Sequence, residues 1–136
     1  THLADKSALA RFHLPTVAAR LRPLVEAGLV GTCGMVELEM RWSARSHDEY
    51  RAVVADRDRG YEWIPMPDEV WSRALELQRA LSAQGALRSV QFPGLLLAAT
   101  AECHGVTVLH YDRDFDVLAE VSDLRAEWVV PAGSVP

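Results

Sequence analysis

The chain has 136 residues, of which 49% are apolar, and a formal net charge of −5 at pH 7. This length and apolar content predict a single globular domain over residues 1–136, and the negative charge excludes a broadly basic surface for nucleic acid, so any such binding must be local. No apolar stretch approaches the roughly 20 residues that span a bilayer and no signal-peptide pattern is present, so we expect a cytoplasmic protein without a membrane partner.

Strands and helices alternate in the first half of the chain. "HLAD" (2–5) predicts a strand, "KSALARFH" (6–13) a short helix, and Pro15 begins a second helix that ends at Gly28. "LVGTC" (29–33) predicts a buried strand and "MVELEMRWSAR" (35–45) a helix. Ser46 and Glu49 then have the spacing of a capping box for a helix over 47–60.

The second half continues this alternation. "YEWIPM" (61–66) predicts an edge strand, and Asp68 is expected to cap a long helix that ends at Gly85. The apolar face predicted for that helix consists of Val70, Trp71, Ala74, Leu75, Leu77 and Leu81. A helix over 93–105, a buried strand over 106–111, a helix over 112–121 and a last strand over 127–131 follow. The pattern predicts an α/β sandwich with a mainly parallel sheet.

Acidic residues follow two of the predicted strands. Asp5 ends the first strand, and Asp112 and Asp114 come directly after the strand over 106–111. Glu39 lies on the helix after the second strand, within reach of the same sheet edge, where ligands of parallel sheets bind. Helix capping or a helix dipole would explain each aspartate singly. Together they repel one another unless a hard cation compensates, so we expect Mg²⁺ or Mn²⁺ that holds a phosphodiester and activates a water.

Other polar side chains give weaker indications of function. Cys33 and Cys103 are too few and too far apart for a disulfide scaffold or a metal knuckle, and their apolar surroundings predict buried thiols. The five histidines lack zinc-ligand spacing. Basic and hydroxyl side chains near the acidic residues are candidates for contact with RNA, a phosphate group or a protein partner, or else ordinary surface residues: Lys6, Ser7, Arg11 and Arg113.

Three segments resemble the motif blocks of PIN-domain ribonucleases, in particular the VapC toxins of toxin–antitoxin modules. They are "LADKSALAR" (3–11), "VELEMRWSARS" (36–46) and "GLLLAATAECHGVTVLHYDRDFDVLA" (94–119). The resemblance implies a PIN-like three-layer sandwich with helices flanking a mainly parallel sheet. It also implies a Mg²⁺- or Mn²⁺-dependent endoribonuclease that cleaves a structured RNA such as tRNA or rRNA and inhibits translation and growth. A VapB-type antitoxin as the neutralising partner and a homodimer are implied as well.

The resemblance also assigns site residues. Asp5 matches the first acidic position, Glu39 the second, as in "EMRWS", and Asp112 and Asp114 the last pair. Glu37 is held as an alternative that faces elsewhere on the same helix. By the same resemblance, Ser7 is the hydroxyl beside the metal site, and the helix over 15–28 with its neighbour offers an apolar groove for the antitoxin, whose arginine would enter the acidic pocket.

The sequence departs from the family at its third acidic position. Members of the family have "PDLLIAA" or a similar sequence at this position, whereas this chain has "PGLLLAA" with Gly94. We expect the fold to tolerate glycine there and catalysis to suffer, because one of about four metal-binding carboxylates is missing. Gly94 is either an engineered inactivating change or a natural divergence toward binding. The first is favoured because the other motif positions match.

Two further functions remain open. A non-catalytic RNA- or antitoxin-binding module with this fold would bind RNA in a salt-sensitive way and cleave none, even after Gly94→Asp. A carboxylate-metal phosphohydrolase acting on small phosphate esters is a remoter alternative, since the sequence has no glycine-rich loop to hold a phosphate group.

Overall fold

The computed structural model describes residues 1–136. The strands are β1 His2–Ala4, β2 Val30–Thr32, β3 Glu62–Trp63, β4 Thr107–His110 and β5 Ala126–Trp128. The helices are α1 Lys6–Leu9, α2 Pro15–Glu26, α3 Gly34–Trp42, α4 His47–Arg57, α5 Glu69–Ala83, α6 Phe92–His104 and α7 Asp114–Glu120. Every element overlaps a segment for which the sequence predicts that type, so the predicted α/β class is confirmed.

All five strands join one parallel sheet in the order β3-β2-β1-β4-β5. His2 of β1 pairs with Val30 of β2 on one side and with Thr107 of β4 on the other. β3 lies at one edge, as its short alternating segment with two prolines predicts. Because the strands are parallel, their carboxyl ends meet along one edge of the sheet, and the segments that leave β1, β2 and β4 begin there.

The sheet has a hydrophobic core on each face. The larger core includes apolar side chains of α3, α5, α6 and α7, and the smaller one is formed mainly by α1 and α2. Val108 and Leu109, neighbours on β4, belong to different cores, because side chains alternate along a strand. Residues 95–101 of α6 are all buried, which explains why this helix is apolar around its whole circumference.

Proline and glycine mark the helix ends where the sequence predicts them. Pro15 occupies the first turn of α2, where its missing N–H costs no hydrogen bond. Gly105 ends α6 in the left-handed conformation, with φ of 64°. Of the predicted capping box, only one half forms: Ser46 Oγ accepts from Glu49 N at 3.1 Å, while Glu49 Oε2 accepts from Arg45 N at 2.8 Å.

Three local predictions were wrong. Trp71 and Leu75 of α5 are 61% and 67% exposed, because helical periodicity identifies an apolar face without saying whether another element covers it. Asp68 has a helical conformation and its side chain caps nothing. Cys103 is exposed near the end of α6, whereas Cys33 is buried and burial raises its thiol pKa.

None of the helices is both long enough and apolar enough to span a bilayer.

Candidate active site

A cleft of about 530 Å³ lies at the carboxyl ends of β1 and β4. It is lined by Asp5 after β1, Glu39 on α3, and Asp112 and Asp114 after β4. The four carboxylates predicted from strand-end placement therefore lie in one cleft. Other predicted site residues that line it are Lys6, Ser7, Arg11 and Gly94. Arg113 is exposed and is not among the lining residues, which argues against its predicted role in phosphate contact.

Local hydrogen bonds hold Asp5 at the end of β1. Its Oδ2 accepts from Ser7 N at 2.9 Å and from Ser7 Oγ at 2.5 Å, so Asp5 caps the start of α1. Ser7 Oγ also accepts from Tyr111 N at 2.9 Å, which ties the end of β1 to the end of β4. Asp5 Oδ1 has no hydrogen-bond partner in the protein, and this oxygen is free to bind a ligand.

The turn after β4 positions the second pair of carboxylates in a similar way. Asp112 Oδ1 accepts from Asp114 N at 2.9 Å, a short turn that leads into α7. The backbone N–H of Asp112 donates to His110 Nδ1 at 3.2 Å. Asp5 therefore combines helix capping with a place in the cleft, and Asp112 combines a turn hydrogen bond with a place in the cleft. In each residue one oxygen fixes the side chain and the other has no hydrogen-bond partner in the protein.

The four carboxylates form no ion pair with a lysine, arginine or histidine. Burial raises the pKa of Glu39, and the charge of Asp5 raises it further, against a smaller opposing effect of Lys6. Burial likewise raises the pKa of Asp114, with added repulsion from Asp112 and Asp5. The cleft is thus a site of uncompensated negative charge, which a cation would stabilise.

The carboxylates share the cleft without forming a closed set of ligands. Nowhere in the chain do three or more His, Cys, Asp or Glu side chains approach closely enough for a ready-made metal site. The chemistry of the donors is nevertheless that of a hard cation site, since oxygen ligands from carboxylates are what Mg²⁺ and Mn²⁺ prefer.

Comparisons with known proteins agree with this geometry. The family model described as "PIN domain" matches residues 3–121. The chain belongs to the PIN-domain family. Ribonuclease VapC21 of Mycobacterium tuberculosis is 47% identical over 133 residues, covering 98% of this chain and 96% of that protein. Ribonuclease VapC51 of the same species is 37% identical, with 98% and 96% covered. These relatives place the chain in the VapC group.

The fold is also that of solved toxin–antitoxin structures. The crystal structure of VapBC2 from Rickettsia felis, bound to a DNA fragment from its promoter, matches with a TM-score of 0.77 at 14% identity. The match covers 93% of this chain and 96% of that one. The resemblance read from the sequence and the three-layer PIN fold are therefore confirmed.

Gly94 lines the cleft of this PIN domain in the first turn of α6. It is the third helical residue and Gln91 is the N-cap residue, so an aspartate at 94 would lie inside the first turn and would not be the N-cap. A Cβ atom at this position would meet one heavy atom within 4 Å, Cγ1 of the buried Val90, at 3.0 Å. A side chain fits there if Val90 moves by a few tenths of an ångström.

Glu37 has a structural position away from the cleft. Its Oε1 accepts from Arg57 Nη2 at 2.9 Å, from Arg57 Nε at 3.1 Å and from Thr32 Oγ1 at 2.7 Å. The pair is buried, and the Arg57 guanidinium lies 3.9 Å from the centroid of the Tyr61 ring. Glu37 therefore joins α3, α4 and β2, and its predicted alternative role as a site carboxylate has no support in this geometry.

Several cleft residues were missed by the sequence analysis. Arg88, Ser89 and Gln91, from the segment between α5 and α6, line the wall near Gly94, and Tyr111 lines it from the end of β4. Residues 88–91 lie just before the "PGLLLAA" motif, separated from it by Phe92, but this proximity does not determine which wall of the cleft they form. Lys6, Arg11 and Arg88 therefore surround the acidic floor with three cationic side chains.

His110 lies behind the acidic pair and is fully buried. Its ring packs against Phe115 and Trp128, with centroid distances of 4.9 and 5.0 Å. Burial lowers its pKa, against opposing effects of Asp116, Asp5 and Asp112. By accepting the Asp112 N–H through Nδ1, the neutral ring supports the turn that carries the carboxylates.

The exposed apolar surfaces lie elsewhere than predicted. Val17 and Leu21 of α2 are buried and Leu24 packs against the core, so this helix offers no large apolar face. One exposed surface, the α5–α6 groove, is lined by Met35, Trp71, Ala74, Leu75, Gln78, Phe92, Leu95 and Leu96. A second, the α3–α4 groove, is lined by Gly34, Glu37, Leu38, Arg41, Trp42, Tyr50 and Trp63.

Proposed function

We propose that this chain is a VapC-type toxin, a metal-dependent endoribonuclease acting on structured cellular RNA such as tRNA or rRNA. Cleavage of such RNA would inhibit translation and growth until an antitoxin neutralises the toxin. The observation that carries the proposal is the set of four carboxylates without ion-pair partners in one cleft, which is also lined by cationic side chains that suit RNA phosphates. The names of the relatives, ribonucleases VapC21 and VapC51, support the same reaction class.

Asp5, Glu39, Asp112 and Asp114 are the residues proposed to hold Mg²⁺ or Mn²⁺. Such an ion, when bound, supplies Lewis-acid activation of a phosphodiester and a water that is acidic enough to act as nucleophile near neutral pH. Ser7 and His110 keep the carboxylates in place through the hydrogen bonds described above. Lys6, Arg11 and Arg88 are proposed to hold the flanking phosphates, which keeps the RNA backbone across the acidic floor.

Gly94 is proposed to impair this activity. With no carboxylate at the third acidic position, α6 would offer no ligand to the ion, and the ion would be held and positioned by Asp5, Glu39, Asp112 and Asp114 alone. Because Gly94 lacks a positive φ and borders open space apart from Val90, its replacement by aspartate is sterically feasible.

We further propose two protein partners, a VapB-type antitoxin and a second copy of the chain. Solved relatives of the same fold are VapBC complexes, which supports the antitoxin. Two separate exposed apolar grooves are available, one for each partner. The unpaired carboxylates of the cleft would accept an arginine from an antitoxin segment, in competition with the metal.

Cleavage of labelled tRNA with Mg²⁺ or Mn²⁺ tests the enzyme proposal, with Asp112→Asn as the matched inactive control. We expect slow cleavage by the unaltered chain, abolished by EDTA and absent from the control. If the chain and Asp112→Asn give the same background while both bind RNA in a salt-sensitive way, the non-catalytic binding module is the better description.

A further inference from the structure

A second cavity, of about 400 Å³, opens beside the acidic cleft. The two share three wall residues, Arg88, Gln91 and Pro93. The remaining walls of this second cavity, which we call the side pocket, come from Gln78, Leu87, Val90 and Phe92. The side pocket thus adjoins the cleft along the segment that joins α5 to α6. Its volume lies within the range of about 300–1,000 Å³ of small-ligand sites.

The side pocket combines one aromatic ring with unpaired polar groups. Phe92 is 72% exposed, although residues 95–101 of the same helix are buried. Arg88, Gln78 and Gln91 make no side-chain hydrogen bond or ion pair with the protein. An aromatic face, two amides and a guanidinium are the groups that stack on a nucleobase, bond to its edge and bind the adjacent phosphate.

We propose that the side pocket binds an unstacked nucleobase of the RNA, on a nucleotide adjacent to the phosphate held in the acidic cleft. The inference rests on the proposed function, because it assumes that the cleft receives an RNA backbone. Phe92 provides the stacking surface, and the amides of Gln78 and Gln91 provide donors and acceptors for the base edge. Arg88 lines both cavities and binds the phosphate between them.

A protein partner is the competing occupant, because Phe92 and Gln78 also line the α5–α6 groove, one of the two surfaces proposed above for a protein partner. The polar content of the side pocket favours RNA. A protein interface covering it would bury Arg88 and two amides, which costs free energy unless the partner supplies hydrogen bonds to each. Trp71 and Leu75 line the α5–α6 groove and not the side pocket, so they separate the two explanations experimentally.

The test is the affinity for a short fluorescent single-stranded RNA, measured by anisotropy with Mg²⁺ before cleavage is detectable. Loss of a stacked base lowers affinity by about 5- to 100-fold, and we expect a loss in this range for Phe92→Ala. Phe92→Tyr keeps the ring and should bind within about twofold of the unaltered chain. Leu29→Ala, at an exposed leucine that lines neither the cleft, the side pocket nor the α5–α6 groove, is the control and should leave the affinity unchanged. With an RNA that lacks the base of the nucleotide proposed to stack on Phe92, Phe92→Ala and the unaltered chain should have equal RNA affinities.

The proposal is overturned if Phe92→Ala binds the intact RNA as the unaltered chain does. It is also overturned if Phe92→Ala and Leu75→Ala lower the native mass and the RNA affinity together, because Phe92 then belongs to a protein interface. RNA cleavage with no effect of Phe92 refutes the base site alone. A base-dependent effect of Phe92 without cleavage, even by Gly94→Asp, supports the base site and refutes the ribonuclease.

Discussion

At the scale of single residues, the raised pKa values of Glu39 and Asp114 predict that the proposed metal binding depends on pH. A carboxyl group whose pKa is raised by folding stabilises the folded chain below its ordinary pKa of about 4, and this contribution is lost as the pH rises through the raised value. The metal-free protein therefore loses stability over this range. A divalent cation binds the deprotonated carboxylates. It should therefore stabilise the folded chain most at pH values above the raised pKa values.

Thermal unfolding with and without Mn²⁺ measures this linkage. We expect Mn²⁺ to raise the Tm more at about pH 7 than at about pH 5, because protons compete for Glu39 and Asp114 at the lower pH. Glu39→Gln removes one titrating ligand and should reduce the Mn²⁺ effect at about pH 7. Equal Tm shifts at the two pH values would contradict the assignment of these carboxylates to a cation site.

At the scale of elements, the buried pair of Glu37 and Arg57 holds α3, the helix that carries Glu39, against α4 and β2. Removing Arg57 leaves Glu37 charged and buried, and only its longer ion pair, from Oε2 to Arg41 Nε at 3.8 Å, remains to offset the charge. Arg57→Ala is expected to lower the free energy of unfolding by about 3–5 kcal/mol. The double variant Glu37→Met with Arg57→Met should lose less than Arg57→Ala, since no unpaired charge remains.

Urea unfolding of the single and double variants checks this prediction. The double variant also serves as a control for the cleft, because neither residue lines it. A loss below about 1 kcal/mol for Arg57→Ala would show that the pair is solvated and holds α3 only weakly.

Local sequence signals were sufficient to predict the elements and the position of the acidic cleft. Strand-end placement brought Asp5, Asp112 and Asp114 to one sheet edge, because parallel strands share that edge. Arg88 and Gln91 could not be predicted, since tertiary packing decides which wall a connecting segment forms. The exposure of Trp71 and Leu75 was missed for a related reason: the apolar pattern of a groove for a partner is the same as that of a core face.

At the scale of the whole molecule, the two apolar grooves are the surfaces proposed for protein partners. Leu75 and Leu38 are 67% and 68% exposed, one in each groove. Leu75→Glu and Leu38→Glu place a charge in a surface that a partner would desolvate, so each should weaken the association that uses its groove. We expect one substitution to lower the native mass of the chain alone and the other to weaken antitoxin binding.

Native mass and antitoxin titration of the two variants distinguish these roles. Thermal unfolding of each variant provides the control for folding, since exposed substitutions should change stability little. If neither substitution alters mass or antitoxin affinity, the grooves are not interfaces, and partner binding must involve other surfaces.

The most direct test of the central claim compares RNA cleavage by the unaltered chain, Gly94→Asp and Gly94→Asn. Both substitutions introduce the same crowding against Val90, and only aspartate adds a charged ligand. The account predicts cleavage by Gly94→Asp at least about tenfold faster than by Gly94→Asn, abolished by EDTA, because the missing metal ligand is restored. Equal rates for the two variants would contradict the claim that this cleft is a ribonuclease site lacking its third carboxylate.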